Sequence, residues 1–250
     1  MNIPPILILL LLGHVLGDFY LQWNTMAKRK ITEAKWRWVH GGVYTLCMAF
    51  VLFIGVQFSW PLLLLLLAAS LAHLAIDAVK KFIPKKRFTV DQLSHLVTLV
   101  LFWRLWGECL QVRVSIFWEF EALSTSAISV VSGLLYIVKP VGELIEHGDI
   151  WDFNKGKNLD ALEDYVQENA RSASKMIGYL ERIIVFILLL NGQFAAIAVV
   201  FAAKPVTMTV ARFADIENSG TTAARAEFYI IGTLLSMISV FAVAFLLGLI

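Results

Sequence analysis

Four apolar stretches in the first half of the chain carry histidine and aspartate where a membrane-spanning helix should carry nothing that ionises. LLGHVLGDFYLQ holds His14, Asp18 and Gln22; WVHGGVY holds His40 and Tyr44; SLAHLAIDAV holds His73 and Asp77; VDQLSHLV holds Asp91, Gln92 and His95. An ionisable side chain in the middle of a bilayer costs about 2.5–3.5 kcal/mol on insertion scales, so such groups face the interior of a bundle and mark function. Four histidines and three aspartates on four neighbouring segments therefore predict one shared pocket.

Three of the four segments pair His with Asp at i and i+4. On an α-helix that spacing leaves the two side chains about 40° apart and roughly 6 Å apart along the axis, close enough to share an ion or touch each other. The apolar residues come in runs of about twenty, the length that crosses a hydrocarbon core. With 59% hydrophobic and 16% charged residues and a mean hydropathy of +0.74, the expected fold is all-α. It is a polytopic transmembrane helix bundle of about seven spans, six to seven, with a four-helix His/Asp site at its N-terminal end. A net charge of +2, with the basic residues in short loops, gives no nucleic-acid signal. Cys47 and Cys109 sit in apolar segments with no paired spacing, so neither a disulfide nor a thiolate site is expected.

The first span is expected from Ile3 to Gln22. It lacks the basic flank and small-residue cleavage site of a signal peptide, and should stay attached. The loop after it carries Lys28, Arg29, Lys30, Lys35 and Arg37, which the positive-inside rule places in the cytoplasm, leaving the N-terminus outside; Trp23, Trp36 and Trp38 are interfacial anchors. Spans two to four are expected at Trp38–Gln57, Pro61–Phe82 and Thr89–Leu110, with Arg104 and Glu108 forming an i,i+4 ion pair near the outer end. In this topology the His/Asp set gathers at the cytoplasmic boundary. A fifth span is expected at Leu123–Ile145, broken near Lys139 and Pro140. Then come a polar stretch from His147 to Lys175 with a short surface helix at Leu159–Asn169, a sixth span at Met176–Ala203 and a seventh at Phe228–Ile250. The chain thus divides into a four-helix bundle, 1–112, and a C-terminal membrane region, 113–250, with about three helices and a polar loop at 147–175.

Imidazole and carboxylate together suit zinc, manganese or iron(II), and the absence of thiolates argues against iron–sulfur clusters and copper(I). The metal-ligand candidates are His14, Asp18, His73, Asp77, Asp91 and His95. His40 and Asp91 are the acid/base candidates, His40 being also a ligand candidate, and Gln22, Tyr44 and Gln92 are hydrogen-bonding support. Seven such groups exceed one tetrahedral shell, so either some aspartates orient histidines or two ions share the pocket. The alternative is a metal-free polar network that fixes helix packing. His147 reads as a solvated histidine. Glu181 and Arg182 read as an ion pair, or as contacts of Lys204 or Arg212.

GHVLGDFYLQ, VHGGVY, HLAIDAVK and DQLSHL, followed by IVKP, IGYLERIIVFILLLNGQFAAIAVVFAAK and EFYIIGTLLS, resemble the bacterial integral membrane proteins named domain of unknown function 3307. The resemblance implies the fold, and that the polar set matters, without supplying a reaction. HLAIDAVK is also similar to the H-x-x-x-D helix of membrane proteins labelled metal-dependent hydrolases.

Three functions compete. The first is a metal-dependent hydrolase of the bacterial cytoplasmic (inner) membrane, acting on a membrane-proximal substrate. The second is a divalent-cation transporter, against which stands the absence of a central Gly/Pro break in the first four spans. The third is a scaffold stapled by its polar network. Membrane lipids are the expected partners, with no nucleic acid, and the sequence names neither a substrate nor an oligomeric state.

Overall fold

The computed structural model describes residues 4–56, 58–82, 87–106, 121–147, 161–203 and 219–250, and all regular structure among them is helical. The elements are α1 (Pro5–Val15), running into a π-helical turn at Leu16–Tyr20, then α2 (Asn24–Arg29), α3 (Ala34–Gly55) and α4 (Trp60–Val79). A 3₁₀ turn at Lys80–Phe82 leads to α5 (Arg87–Trp106), α6 (Glu121–His147) and α7 (Ala161–Leu190). Next are α8 (Phe194–Ala203) and α9 (Ser219–Leu246).

Among the described residues, three helices are long and apolar enough to cross a membrane: Ala34–Gly55, Trp60–Val79 and Ala127–Glu146. Pro5–Tyr20, Phe194–Ala203 and Ile231–Leu246 are shorter apolar helices. The outer faces agree with a lipid environment: Leu46, Trp60, Leu71 and Leu105 lie exposed, side by side with the polar residues buried inside.

Two apolar clusters hold the helices together. The N-terminal one joins Leu10, Tyr44, Met48, Leu52, Leu62, Leu65 and Leu99 from α1, α3, α4 and α5. The second joins Ile137, Val185, Phe186, Leu189, Ile197 and Val240 from α6 to α9. Helix starts follow ordinary capping logic. Ser59 accepts a hydrogen bond from the Leu62 N–H at 3.3 Å, and a proline in the first turn of α4 loses no intrahelical bond.

The structure corrects several expected boundaries in the second half. The fifth span is not broken: Pro140 lies inside a continuous α6. The sixth span is a hairpin, because α7 ends at Leu190 and the chain turns at Gly192, φ 67°, before α8. Asn191-Gly192 is a turn dipeptide, readable in the sequence as a stop. Residues 161–175, expected as a short surface helix to Asn169 and then loop, are instead the first turns of a continuous α7. His147 ends α6 rather than sitting in a loop, and Glu108, Cys109, Lys204 and Arg212 lie outside the described residues.

Candidate metal centre

The pocket is made by α1 with its π-turn, α3, α4 and α5, and the sequence dictates how closely they approach. At Gly17, on the π-turn, an added Cβ would lie 3.0 Å from Tyr44 Cδ2 and 3.1 Å from Tyr44 Cα. Glycine lets this turn rest close against the α3 backbone, which a side chain there would push back by a few tenths of an ångström. The i→i+5 turn then swings Asp18 off the line it would share with His14 in a regular helix. Asp18 therefore faces α3 and α4, and His14 faces α5, where its Nε2 lies 3.3 Å from Gln92 Oε1.

His14, Asp18, His40, His73, Asp77, Asp91 and His95 are all buried, none more than 4% exposed. His40 Nε2 lies 3.0 Å from His73 Nε2, 3.1 Å from Asp18 Oδ1 and 3.4 Å from Asp77 Oδ2. His73 Nε2 lies 4.0 Å from Asp18 Oδ1 and 3.6 Å from Asp77 Oδ2. Five of the six edges joining these four atoms thus measure 3.0–4.0 Å. An ion with four bonds of about 2.1 Å separates its ligand atoms by roughly 3.4 Å, near the middle of the observed 3.0–4.0 Å range. The sixth edge, between the two carboxylates, is spanned by the Lys30 ammonium, 3.1 Å from Asp18 Oδ1 and 3.0 Å from Asp77 Oδ2.

A second group adjoins the first. Asp91 Oδ1 and His95 Nε2 lie 3.6 Å apart, and neither has a hydrogen-bond partner among the described residues. Lys80 holds the other oxygen of Asp91 at 2.5 Å. The Gln92 amide nitrogen donates to Asp18 Oδ2 at 2.9 Å and to Asp91 Oδ2 at 3.3 Å. Three triads have ligand atoms within 4.8 Å of one another: Asp18, His40 and His73; His73, Asp77 and His95; Asp18, Asp91 and His95. Buried His/Asp groups of this kind can hold a metal ion.

Residues 6–123 match the family model described as a protein of unknown function (DUF3307). The pocket belongs to a DUF3307 domain. No curated protein and no solved structure matches the chain. The match ends before IVKP, so the likeness of the later motifs falls outside it.

Within the DUF3307 domain the structure brings Asp18, His40, His73, Asp77, Asp91 and His95 together. His14 packs against the rings of His73 and His95, at centroid distances of 5.9 and 5.2 Å, but joins none of the three triads. Tyr44 stacks on His73 at 3.7 Å, so it fixes that ring's plane rather than presenting its hydroxyl. Gln92 bridges the two groups. Gln22 lies past the π-turn, partly buried, with no bond to the site among the described residues.

Lys30 is the residue that sequence reasoning missed. It sits in a run of loop cations that the sequence gives no reason to bury, yet it is 3% exposed. Helix α2 folds the loop back under the pocket, burying Met26 completely and carrying Lys30 at its C-terminal end. Burial alone would lower its pKa, but Asp18, Asp77 and Asp91 hold the ammonium above its ordinary value. Nothing in the spacing of Lys28, Arg29 and Lys30 separates the buried lysine from the other two.

Lys139 was missed as well. From α6 it donates to the Phe19 carbonyl on the π-turn, and the Tyr20 hydroxyl answers by donating to the Leu135 carbonyl at 3.0 Å. The C-terminal helices thereby clamp the turn that aims Asp18. Deeper in that half, Arg182 is buried and donates to Ser236 Oγ and the Val138 carbonyl, at 3.3 and 3.2 Å. It lines a separate, half-open cleft with Thr233 and Val240, and none of the site's His or Asp residues is in its lining.

Proposed function

We propose that this is an integral protein of the bacterial cytoplasmic membrane, N-terminus outside, that holds a divalent ion (zinc, manganese or iron) in a cytoplasm-facing pocket. There it acts as a metal-dependent hydrolase on a membrane-proximal substrate. The observation that carries the reading is that His40 Nε2 and His73 Nε2 lie 3.0 Å from each other and each within 3.1–4.0 Å of both Asp18 Oδ1 and Asp77 Oδ2, near the spacing of ligand atoms around a tetrahedral ion. Asp77 Oδ1, buried without a hydrogen-bond partner among the described residues, further supports a cation there. A bound ion of this class polarises the substrate and activates water. Asp91 and His95, which share triads with Asp18, His73 and Asp77, would be the groups to accept a proton there. Tyr44 holds the His73 ring in its plane, and Lys30 balances the charge of Asp18 and Asp77.

Elemental analysis of protein purified in mild detergent tests this directly. Wild type should carry stoichiometric divalent metal, and Asp77→Ala should carry little. Wild-type protein without metal after gentle extraction would remove the reading.

The Lys30 bridge favours a second reading: a scaffold in which the ammonium itself is the resident cation and the pocket staples four helices. Under it, site variants lose thermal stability, and any cellular phenotype follows protein abundance.

A further inference from the structure

The Asp91 and His95 atoms are not needed for a first ion held by Asp18, His40, His73 and Asp77, yet they are buried at 2% exposure each and face each other without a donor between them. Their 3.6 Å separation is again close to a ligand–ligand edge. Asp18 belongs to both groups: its Oδ1 meets His40, and its Oδ2 meets Gln92 on the Asp91 side. His95 also shares a triad with His73 and Asp77, so the two positions adjoin. We propose that the pocket holds a second divalent ion on Asp91 and His95, bridged to the first by the Asp18 carboxylate, and that the pair is completed by a phosphate group.

This deepens the metal reading and rests on it; it moves Asp91 and His95 from proton transfer to ligation. Bridged ions in hydrolytic centres lie about 3.5–4 Å apart, a span that one carboxylate with its oxygens turned to opposite sides can cover. Gln92 now occupies the gap through its amide nitrogen, which donates to Asp18 and Asp91. Its amide plane, turned over, offers the same position an oxygen.

Charge supplies the ligand class. Three aspartates, with Lys30 and Lys80 paired to them, give the pocket a net charge of −1. One divalent ion makes it about +1 and two make it about +3, a large excess for a buried site. A phosphate dianion removes most of that excess and brings oxygens able to touch both ions. Acetate or another monoanion removes less. The second ion and the phosphate therefore bind together, and each raises the affinity of the other by the same factor. The phosphate could be free or the headgroup of a lipid in the adjoining leaflet; both present the same oxyanion.

The test is manganese titration of detergent-purified, metal-stripped protein followed by electron paramagnetic resonance, alone, with inorganic phosphate, and with phosphatidic acid in mixed micelles. The expected result is one Mn²⁺ per chain alone, and two with an exchange-coupled spectrum when phosphate or phosphatidic acid is present. A rise with phosphatidic acid only assigns the lipid source. His95→Ala and Asp91→Asn should each hold occupancy at one under every condition, and retention of that first ion reports that the site is still folded. One uncoupled Mn²⁺ in wild type regardless of additive overturns the second ion and leaves the first standing. No bound Mn²⁺ at all overturns both.

Discussion

Replacing Lys30 by methionine separates a metal-filled pocket from a lysine-filled one. The change keeps the length and apolar stem of the side chain but removes the ammonium that lies 3.1 Å from Asp18 and 3.0 Å from Asp77. Stripping one partner from a buried ion pair costs about 3–5 kcal/mol, because the remaining charge stays buried. At about 2–4 °C per kcal/mol for a chain of this size, Lys30→Met in EDTA should unfold roughly 6–20 °C below wild type. Tryptophan fluorescence in detergent follows the transition. Adding zinc or manganese to about a thousand times its Kd contributes about 4 kcal/mol through selective binding to the folded state. The metal should therefore return most of the loss, and the variant should bind it more tightly than wild type, since no ammonium competes for the two carboxylates. A fall in Tm that no divalent ion reverses would refute the metal reading and favour the scaffold. An unchanged Tm in EDTA would refute the premise that Lys30 carries the charge of Asp18 and Asp77.

Other outcomes follow from the same geometry. Lys139→Met leaves the Phe19 carbonyl without its donor, a loss of about 1–3 kcal/mol, and calorimetric titration should show weaker metal binding although no ligand has changed. Gly17→Ala sets a methyl group against the Tyr44 backbone at 3.1 Å. It should cost about 1–3 kcal/mol in thermal unfolding and lower metal occupancy by displacing Asp18. His14→Ala should leave one-ion stoichiometry intact, because His14 bonds Gln92 and joins no ligand triad, whereas His40→Ala should abolish it; elemental analysis reads both. Gly192→Val forces a β-branched residue to φ 67° and should destabilise the α7–α8 turn by about 1–2 kcal/mol, with no effect on metal content.

The sequence by itself determined that the chain is helical and apolar, and that its first half hides a shared His/Asp pocket. Those features are local: run length sets the helices, and an ionisable residue in an apolar run has nowhere to point but inward. The i,i+4 spacing was equally legible, and two of the three pairs keep their contact, His73 with Asp77 and His95 with Asp91, each at 3.6 Å. The third does not keep it, because the π-turn at Leu16–Tyr20 rotates Asp18 away from His14. Asn191-Gly192 was readable but lay inside an apolar run that hydropathy alone joins into one span. Only the tertiary structure decided that Lys30 enters the pocket while Lys28 stays outside, that Asp18 faces both groups of ligands, and that Lys139 reaches across from α6 to hold the turn. Each depends on atoms distant along the chain arriving within about 3 Å of one another. Spacing along one helix carries no information about that meeting; the packing of α1 on α3 and α6 does.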